Sequence, residues 1–363
     1  MRPHQLPAFP WDTLAPYGDR ARAHPGGLVD LSIGTPVDPV PEVVQAALCA
    51  ASDRPGYPLT HGTPALRQAA AAWLRRRLGV VGVDPDTVLP AIGSKEFVAS
   101  APSLLGLGPS DTVVVPQLAY PTYDVGARLA GAAVAVSDSL VALGPTAVSL
   151  VWVNSPSNPT GQVLPAEHLR KVVTWARERG AVVLSDECYI ELGWDAAPVS
   201  LLHPDVCGGS MEGLLAVHSL SKRSNLAGYR AGFVTGDPAL VASMLEVRKH
   251  AGLIMPAPVQ EAMTVALGDD EHVRAQRSLY RARRELLRTA LVEAGFRIDH
   301  SEAGLYLWAT RGEGCWETVG WFADRGVLVA PGAFYGSAGA QHVRVGLTAS
   351  DVDVEIAAER LLS

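Results

Sequence analysis

Short apolar runs alternate with amphipathic segments along the chain up to about residue 236. Runs rich in valine, leucine and isoleucine predict buried strands at residues 88–92, 112–115, 134–136, 148–153, 181–185, 214–218 and 231–235. Apolar residues at helical spacing predict helices between several of these runs, at residues 64–78, 121–130 and 165–179. Continuous apolar strands separated by amphipathic helices are typical of parallel sheets, so the pattern predicts an α/β fold with a mostly parallel central sheet sandwiched by helices.

The pattern changes beyond about residue 237, where longer helical segments replace the alternation. A long helix is predicted at residues 270–294, and short strands are predicted at residues 296–298, 306–308, 327–329 and 343–346. Residues 1–35 are rich in proline and glycine, which predicts an irregular arm that leads into a short strand. We therefore predict an N-terminal arm at 1–38 that belongs to a small α+β domain, a large domain at 39–245, and a helical connection with the rest of the small domain at 246–363.

Composition narrows the class of protein. With 363 residues, of which 48% are hydrophobic and 18% charged, the chain is expected to fold around a large core. A net charge of −7 argues against nucleic acid as a partner. No apolar run predicts export or a membrane span, so we expect a cytoplasmic protein. The four cysteines stand far apart in the chain, which predicts reduced thiols and no metal site.

The segment from Ser219 to Gly232 combines several reactive groups. Lys222 supplies an amine, Ser221 a second hydroxyl beside that of Ser219, and Arg230 a guanidinium. A lysine amine can condense with an aldehyde, and hydroxyls with a guanidinium suit a phosphate. Taken alone, the segment is equally compatible with an ordinary polar loop.

Polar residues also follow three of the predicted strands. Gly93-Ser94 separates a strand from a helix start, an arrangement that binds anions through backbone N–H groups. Asp186 ends another strand, where its carboxylate is either a structural acid or the counter-ion of a bound cationic ring. Asn158 lies in a proline-rich turn after a third strand. Because ligands gather at the carboxyl ends of parallel strands, we expect these residues to share one site.

Taken together, these motifs make the chain resemble one family, the fold-type I, pyridoxal-phosphate-dependent aminotransferases of classes I and II. The motifs are Tyr57 ahead of Gly62 and Leu66-Arg67, Gly93-Ser94-Lys95, Tyr120-Pro121-Thr122-Tyr123, Asn158-Pro159-Thr160-Gly161, Asp186-Glu187-Cys188-Tyr189, the segment from Ser219 to Gly232, and Arg344 in Val-Arg-Val-Gly-Leu. The resemblance extends over nearly the whole chain. It implies an enzyme that uses pyridoxal 5′-phosphate to move amino groups between amino acids and 2-oxo acids.

The resemblance implies roles around the cofactor. Lys222 would hold the cofactor and act as general base and acid, and Asp186 would keep the pyridine nitrogen protonated. Asn158 and Tyr189 would hydrogen-bond the 3-oxygen of the ring, on which Tyr120 would stack. The phosphate would be held by Gly93, Ser94, the backbone N–H of Lys95, Ser219 and Arg230, and by Tyr57 of the neighbouring subunit.

The resemblance also implies how substrate is bound. Arg344 would form a planar fork around the substrate α-carboxylate, with Gly34 and Asn158 beside it. Because Tyr57 would come from the neighbouring subunit, the resemblance implies a homodimer with shared active sites.

A finer similarity concerns the substrate. Residues 31–41, 185–189 and 218–230 are similar to actinobacterial N-succinyldiaminopimelate aminotransferases. That similarity implies transfer of an amino group from glutamate to N-succinyl-2-amino-6-oxopimelate, a step of diaminopimelate and lysine biosynthesis that leaves 2-oxoglutarate. The extra carboxylates of these substrates predict a distal cationic contact, for which the candidates are Lys95, Arg22, Lys249 and His250.

Other interpretations stay open at this point. The same motifs fit an aminotransferase for aromatic, aspartate-like or secondary-metabolite substrates, and they fit a carbon–sulfur β-lyase. A regulator with an aminotransferase-like domain would need a DNA-binding domain ahead of it, for which the 1–38 arm is too short. His61 and His218 are expected to be structural, and Arg223 could face either solvent or substrate.

Overall fold

The computed structural model describes residues 6, 7 and 9–363. Its strands are β1 (Val29–Asp30), β2 (Leu89–Ile92), β3 (Thr112–Val115), β4 (Ala133–Val136), β5 (Leu150–Asn154), β6 (Val182–Asp186), β7 (Leu214–Ser219), β8 (Ala231–Gly236), β9 (Arg297–Asp299), β10 (Tyr306–Thr310), β11 (Val327–Leu328), β12 (Ala330–Pro331) and β13 (Val343–Gly346). Its α-helices are α1 (Ala15–Arg22), α2 (Glu42–Ala50), α3 (Pro64–Leu78), α4 (Ser94–Leu104), α5 (Thr122–Ala130), α6 (Ala166–Arg177), α7 (Pro204–Cys207), α8 (Leu220–Arg223), α9 (Pro238–Ala251), α10 (Ala257–Gly268), α11 (Glu271–Glu293), α12 (Cys315–Asp324) and α13 (Asp351–Leu362). None of the helices in these residues is both long and apolar enough to cross a membrane.

A seven-stranded sheet lies at the centre of the part of the chain that the structure describes, with the strand order β2-β8-β7-β6-β5-β3-β4. Strands β4, β3, β5, β6 and β7 pair in parallel. Strand β8 is antiparallel to both of its neighbours, β7 and β2. The predicted, mostly parallel sheet is confirmed, and every strand except β8 ends at the same edge.

Helices cover both faces of this sheet because its strands are apolar on both sides. One core lies between the sheet and helices α2, α3, α6 and α10, and the other between the sheet and helices α4, α5 and α9. Successive strand residues enter opposite cores, as Val183 and Leu184 do. Helix α3 has clear end signals: the Thr63 hydroxyl accepts from the Leu66 N–H at 3.2 Å, and Gly79 ends the helix at φ +65°.

A smaller antiparallel sheet, ordered β12-β13-β10-β9, packs with helices α11, α12 and α13 around a core of its own. The N-terminal arm joins this core, since Leu14, Val29 and Leu31 are buried in it and β1 pairs with β11. The arm therefore packs against the C-terminal part of the chain. The domain boundaries at residues 38 and 245 stay predictions.

The N-terminal arm is more regular than its proline and glycine content predicts. From Ala15 to Arg22 it forms α1, which packs against α12. Only Gly18 and Ala21 of this helix are buried, so it carries too short an apolar pattern to be recognised in the sequence. Packing against α12 stabilises such a short helix. Pro16 is tolerated in its first turn because the backbone N–H groups of a first turn have no partner within the helix, so the N–H that proline lacks is not missed.

Candidate active site

The ends of three neighbouring strands bring the predicted site residues to one edge of the central sheet. Asn154 ends β5 and is paired in register with Asp186, which ends β6. Strand β7 runs parallel to β6 and ends at Ser219, directly before α8 and Lys222. Helix α4 begins at Ser94 after the end of β2. The sequence prediction that these groups would meet agrees with this geometry.

Asp186 is a buried carboxylate without a cationic partner in the described chain. The Tyr123 hydroxyl donates to its Oδ2 at 2.9 Å, and the Cys188 N–H donates to its Oδ1 at 3.2 Å. Burial raises the pKa of Asp186, against the effect of these two donors. The sequence did not predict the Tyr123 contact, although Tyr123 is the last residue of the Tyr120-Pro121-Thr122-Tyr123 motif. A carboxylate in this state favours a cationic group placed beside it.

The turn after β5 is fixed by the side chain of Asn154. Its amide donates to the Asp186 carbonyl at 2.9 Å, and its Oδ1 accepts from the Asn158 N–H at 2.7 Å. The Asn158 side chain is thereby presented at the strand edge, where its Oδ1 accepts from Arg344 Nη1 at 2.9 Å. Asn158 thus contacts the predicted carboxylate-binding arginine directly.

Lys222 lies in the four-residue helix α8, at whose start the Ser219 hydroxyl accepts from the Ser221 N–H at 3.1 Å. Its Nζ donates to the carbonyl of Gly34, so two predicted site residues far apart in sequence meet. Burial lowers the pKa of Lys222, and the charges of Arg344 and Arg230 act in the same direction. A lowered pKa leaves more of the amine in its neutral, nucleophilic form.

Gly93, Ser94 and Arg230 converge at the N-terminus of α4. Gly93 has φ +77°, and a Cβ at this position would lie 2.2 Å from Arg230 Nη2. At Gly232, a Cβ would lie 3.2 Å from the backbone nitrogen of Ser94. Glycine at these positions keeps the helix N-terminus and the guanidinium close together, which suits an anion such as phosphate. Lys95 is exposed, with its Nζ 5.7 Å from the ring centre of Phe9.

Arg344, on β13, is 3% exposed and has an unusual set of partners. Its Nη1 donates to Asn158 Oδ1 at 2.9 Å, and its Nη2 donates to the Ser32 carbonyl at 2.6 Å. In the described part of the chain its Nε has no partner and no carboxylate lies within ion-pair distance. The other buried arginines are each paired with a carboxylate; they are Arg223, Arg248, Arg283 and Arg284.

Tyr306 belongs to this site and was missed by sequence analysis. Its hydroxyl lies 3.2 Å from that of Tyr189, and the Arg344 guanidinium carbon lies 3.9 Å from its ring centre. The available signal was strand register: Trp308 pairs with Arg344, and Tyr306 precedes Trp308 by two positions, which puts all three on one face. That register cannot be read without the pairing of β10 and β13.

The remaining predicted tyrosines have different environments. Tyr120 is half-buried and lies edge-on to Tyr123, with ring centres 5.8 Å apart, and burial raises its pKa to about 12. Tyr189 is buried against Tyr306. Tyr57 is 99% exposed in the single chain, so its predicted reach to the phosphate depends on a second subunit.

Several basic residues that were open candidates for substrate contact have other partners. Arg223 is buried in an ion pair with Glu191 and donates to the Ala266 carbonyl at 3.1 Å, so it faces neither solvent nor the Arg344 site. Two of the candidates for the distal contact have partners near them in the chain: Arg22 contacts Asp19, and Lys249 contacts Glu246. His61, which was expected to be structural, lies with its Nε2 3.0 Å from the Asp86 carbonyl.

Comparison with known proteins agrees with this geometry. The family model described as aminotransferase class I and II matches residues 27–361. This chain belongs to the class I and II aminotransferases. The aminotransferase is 64% identical over 357 residues to the 4-dedimethylamino-4-oxo-anhydrotetracycline transaminase OxyQ of Streptomyces rimosus, covering 98% of this chain and 99% of that protein. It is 62% identical over 356 residues to a probable aminotransferase of Mycobacterium tuberculosis, covering 98% of this chain and 85% of that protein.

A solved structure agrees as well. The probable N-succinyldiaminopimelate aminotransferase from Thermus thermophilus superposes on this aminotransferase with a TM-score of 0.87 at 30% identity, covering 98% of this chain and 99% of that one. The predicted family and fold class are confirmed, and the aminotransferase uses pyridoxal 5′-phosphate, as its family does.

The residues at the strand ends fit this cofactor. The cradle at Gly93 has no room for a Cβ beside Arg230, which suits a phosphate held at the start of α4. Within the described residues, the Asp186 carboxylate has hydrogen-bond donors but no internal cation, which suits a protonated pyridine nitrogen. Lys222 offers a buried amine of lowered pKa, which suits a covalent bond to an aldehyde.

Proposed function

We propose that this aminotransferase is an N-succinyl-LL-2,6-diaminopimelate:2-oxoglutarate aminotransferase, which takes an amino group from glutamate and passes it to N-succinyl-2-amino-6-oxopimelate. Its sequence at 31–41, 185–189 and 218–230 is similar to that of enzymes with this activity. The name of the similar Thermus thermophilus structure supports the same substrate. The product then serves diaminopimelate and lysine biosynthesis.

The observation that carries the transfer of amino groups between α-carboxylate substrates is the unneutralised charge of Arg344. The choice of acceptor is supported by the similarities to known enzymes. A buried guanidinium without a carboxylate partner pays a desolvation cost that a bound carboxylate offsets. Its Nη1 and Nη2 each donate one hydrogen to the protein and retain a second one. We infer that these remaining hydrogens bind the α-carboxylate of both amino donor and oxo acceptor, as a fork that lysine cannot reproduce.

Lys222 is proposed to be the group that bonds the cofactor and moves the proton. Burial lowers its pKa and two nearby arginines act in the same direction, which favours the neutral, nucleophilic form of the amine. When bound, the cofactor supplies an electron sink for the electrons left at the substrate Cα. Once the substrate amine has displaced it from the cofactor, the Lys222 amine would remove the proton from the substrate Cα and deliver it to the C4′ carbon of the cofactor.

Asp186 and its neighbours are proposed to hold the cofactor ring. The carboxylate keeps the pyridine nitrogen protonated, and Tyr123 fixes the carboxylate through its 2.9 Å hydrogen bond. Asn158 and Tyr189 are proposed to donate to the 3-oxygen, and Tyr120 to cover the ring. Because these groups are attached to strand ends and to a rigid turn, they are preorganised before substrate binds.

A second copy of the chain is proposed to complete the site. Tyr57 is 99% exposed, and exposed apolar side chains at Leu59 and Val37, 64% and 55% exposed, belong to the same N-terminal third of the chain. Exposed apolar groups of this kind suit a protein interface. We infer a homodimer in which Tyr57 reaches the phosphate of the partner's site.

A separate observation favours a second candidate function. The 64% identity to OxyQ over nearly the full length of both proteins supports a transaminase of secondary metabolism, with an oxo-anhydrotetracycline as acceptor. The two candidates share the proposed roles of Lys222 and Asp186. They differ in the group that the acceptor presents beyond its reacting carbonyl.

The test is a half-reaction screen with the cofactor-loaded enzyme. Glutamate and N-succinyl-diaminopimelate are each expected to convert the absorbance of the bound cofactor to that of its pyridoxamine form. Lys222→Ala serves as the control and is expected to lose both the lysine-bound absorbance band and the conversion. If N-succinyl-diaminopimelate fails while glutamate reacts fast, the proposed acceptor is wrong and the tetracycline-type acceptor becomes the next one to test.

A further inference from the structure

Tyr306 lies where the groups of the site meet. Its side chain is 4% exposed, and its hydroxyl is 3.2 Å from the Tyr189 hydroxyl. Its ring lies under the Arg344 guanidinium at 3.9 Å. Its hydroxyl also approaches the backbone of Gly34, where a Cβ would lie 2.2 Å from it. The same Gly34 accepts the hydrogen bond from Lys222.

We propose that Tyr306 is a positioning residue, whose hydroxyl donates to the Tyr189 oxygen and thereby directs the Tyr189 proton toward the 3-oxygen of the cofactor. This inference rests on the cofactor contact proposed for Tyr189. A phenol has one proton and can accept a second hydrogen bond through its oxygen. If Tyr189 donated to Tyr306, it would have no proton left for the cofactor.

The number of available protons sets the direction of the hydrogen bond between the two phenols. Their 3.2 Å contact allows either hydroxyl to donate. Because Tyr189 is proposed to give its only proton to the 3-oxygen, the proton between the two phenols is that of Tyr306. Burial raises the pKa of Tyr306 and the Arg344 cation beside its ring lowers it, and a lower pKa makes the Tyr306 hydroxyl a better donor.

Tyr306 is held tightly enough for this role. The Arg344 guanidinium covers one side of the ring, and the Tyr189 ring meets it nearly edge-on, with centres 5.8 Å apart. Gly34 leaves no room for a side chain between its backbone and the hydroxyl. A side chain confined in this way keeps its hydrogen bond without losing further rotamer freedom.

The experiment is a pH titration of the absorbance of the lysine-bound cofactor, which needs no turnover. Tyr189→Phe is expected to shift the midpoint by about one pH unit, because a hydrogen bond to the 3-oxygen is lost. Tyr306→Phe keeps the ring under Arg344 and is expected to shift the midpoint in the same direction by about half a unit. The double variant is expected to match Tyr189→Phe alone, since Tyr306 acts through Tyr189.

Tyr335→Phe is the matched control. Tyr335 is another buried phenol, whose ring centre lies 5.0 Å from the Arg344 guanidinium carbon, and in the described chain its hydroxyl has no partner. Its variant is expected to leave the midpoint unchanged. Steady-state kinetics add a second readout: Tyr306→Phe should lower kcat severalfold while the KM for glutamate, which reports on Arg344, stays the same.

Three outcomes would overturn the inference. A Tyr306→Phe midpoint equal to that of wild type, with Tyr189→Phe shifted, would show that Tyr306 only packs. Additive shifts in the double variant would show that Tyr306 acts on the cofactor independently of Tyr189. An unshifted Tyr189→Phe would instead remove the proposed Tyr189 contact, and the inference with it, while the roles of Lys222 and Arg344 would stand.

Discussion

Two buried polar clusters lie at the same end of the central sheet, and chain neighbours are divided between them. Asp186 and Lys222 belong to the candidate site, whereas Glu187 and Arg223, each one residue further on, belong to a cluster on the reverse face. We call the second group the reverse-face cluster; its residues are Trp73, Glu187, Glu191, His218 and Arg223. Alternation of side chains along a strand accounts for the division at Asp186.

The difference between the clusters is in how their charges are satisfied. In the reverse-face cluster, Glu191 is paired with Arg223 and with Arg77 Nε at 2.8 Å, and its Oε2 accepts from Trp73 at 3.2 Å. In the site, the partners of Arg344 among the described residues are neutral oxygens. Removal of one partner from an internally neutralised, buried ion pair destabilises the fold, whereas a charge left without a counter-ion is available to a ligand.

Burial disfavours the charged form of both side chains in the titratable pair of the reverse-face cluster. Burial lowers the pKa of His218 to about 3, with Arg223 acting in the same direction, and burial raises the pKa of Glu187 to about 7. The two side chains approach within 3.7 Å, beside an enclosed cavity of about 10 Å³. His218 is therefore a structural residue packed on Trp73 and Phe233, as the sequence predicted.

The largest expected effect is on stability, from Arg223→Gln. Removing one partner of a buried ion pair leaves Glu191 with Arg77 alone and is expected to lower the free energy of unfolding by about 3 kcal/mol. Urea unfolding of the holoenzyme measures it. Lys171→Gln, which breaks an exposed pair with Glu167, is the control and should cause no measurable change. Equal stability of Arg223→Gln and wild type would remove the contrast between the clusters.

The next effect is on catalysis, from Arg344→Gln. Loss of the fork is expected to lower kcat/KM about 100-fold for every α-carboxylate substrate, or ~3 kcal/mol, with KM carrying most of the change. Stability should hold or rise, because no internal carboxylate loses its partner. Steady-state kinetics with glutamate, together with urea unfolding, test both halves. A large loss of stability would mean that Arg344 is a structural cation like Arg223.

A smaller effect is expected from Tyr123→Phe, which removes one donor to the Asp186 carboxylate. The loss of a hydrogen bond to a charged group is expected to cost about 1.5 kcal/mol, or roughly tenfold in kcat, because the carboxylate becomes a weaker partner for the ring nitrogen. Tyr280→Phe is the control, since this buried phenol contacts Asn225 instead. Unchanged kcat in Tyr123→Phe would show that Asp186 is fixed by the Cys188 N–H alone.

The sequence predicts those parts of the molecule that depend on local pattern. Apolar runs and their order predict the central sheet, and the rule that ligands gather at strand ends predicts that Asp186, Asn158 and Ser94 meet. Tyr306 and the true surroundings of Arg223 depend on which strands and helices pack together, which no short stretch specifies. Helix α1 could not be predicted for the same reason, because its contacts with α12 stabilise it rather than an apolar pattern of its own.

The smallest effect per measured step, about 1 kcal/mol for each pH unit, is the pH dependence of stability in the reverse-face cluster. Glu187 has a raised pKa in the fold, so between pH values of about 4.3 and 7 the folded state binds more protons than the unfolded one, and its contribution to stability falls as pH rises. His218 has a lowered pKa, so its contribution rises up to a pH of about 6.5. In wild type the two slopes oppose each other where they overlap.

Glu187→Gln removes only the contribution to the free energy of unfolding that falls as pH rises. Relative to wild type, the variant should therefore gain about 1 kcal/mol of unfolding free energy per pH unit across this window and level off above a pH of about 7. Urea unfolding at several pH values measures the difference, in which titrations common to both proteins cancel. Parallel curves would show that Glu187 is ionised in the fold. The reverse-face cluster would then contain a buried, ionised carboxylate without a cationic partner, as the candidate site does at Asp186. The two clusters would no longer differ in whether their charges are neutralised internally.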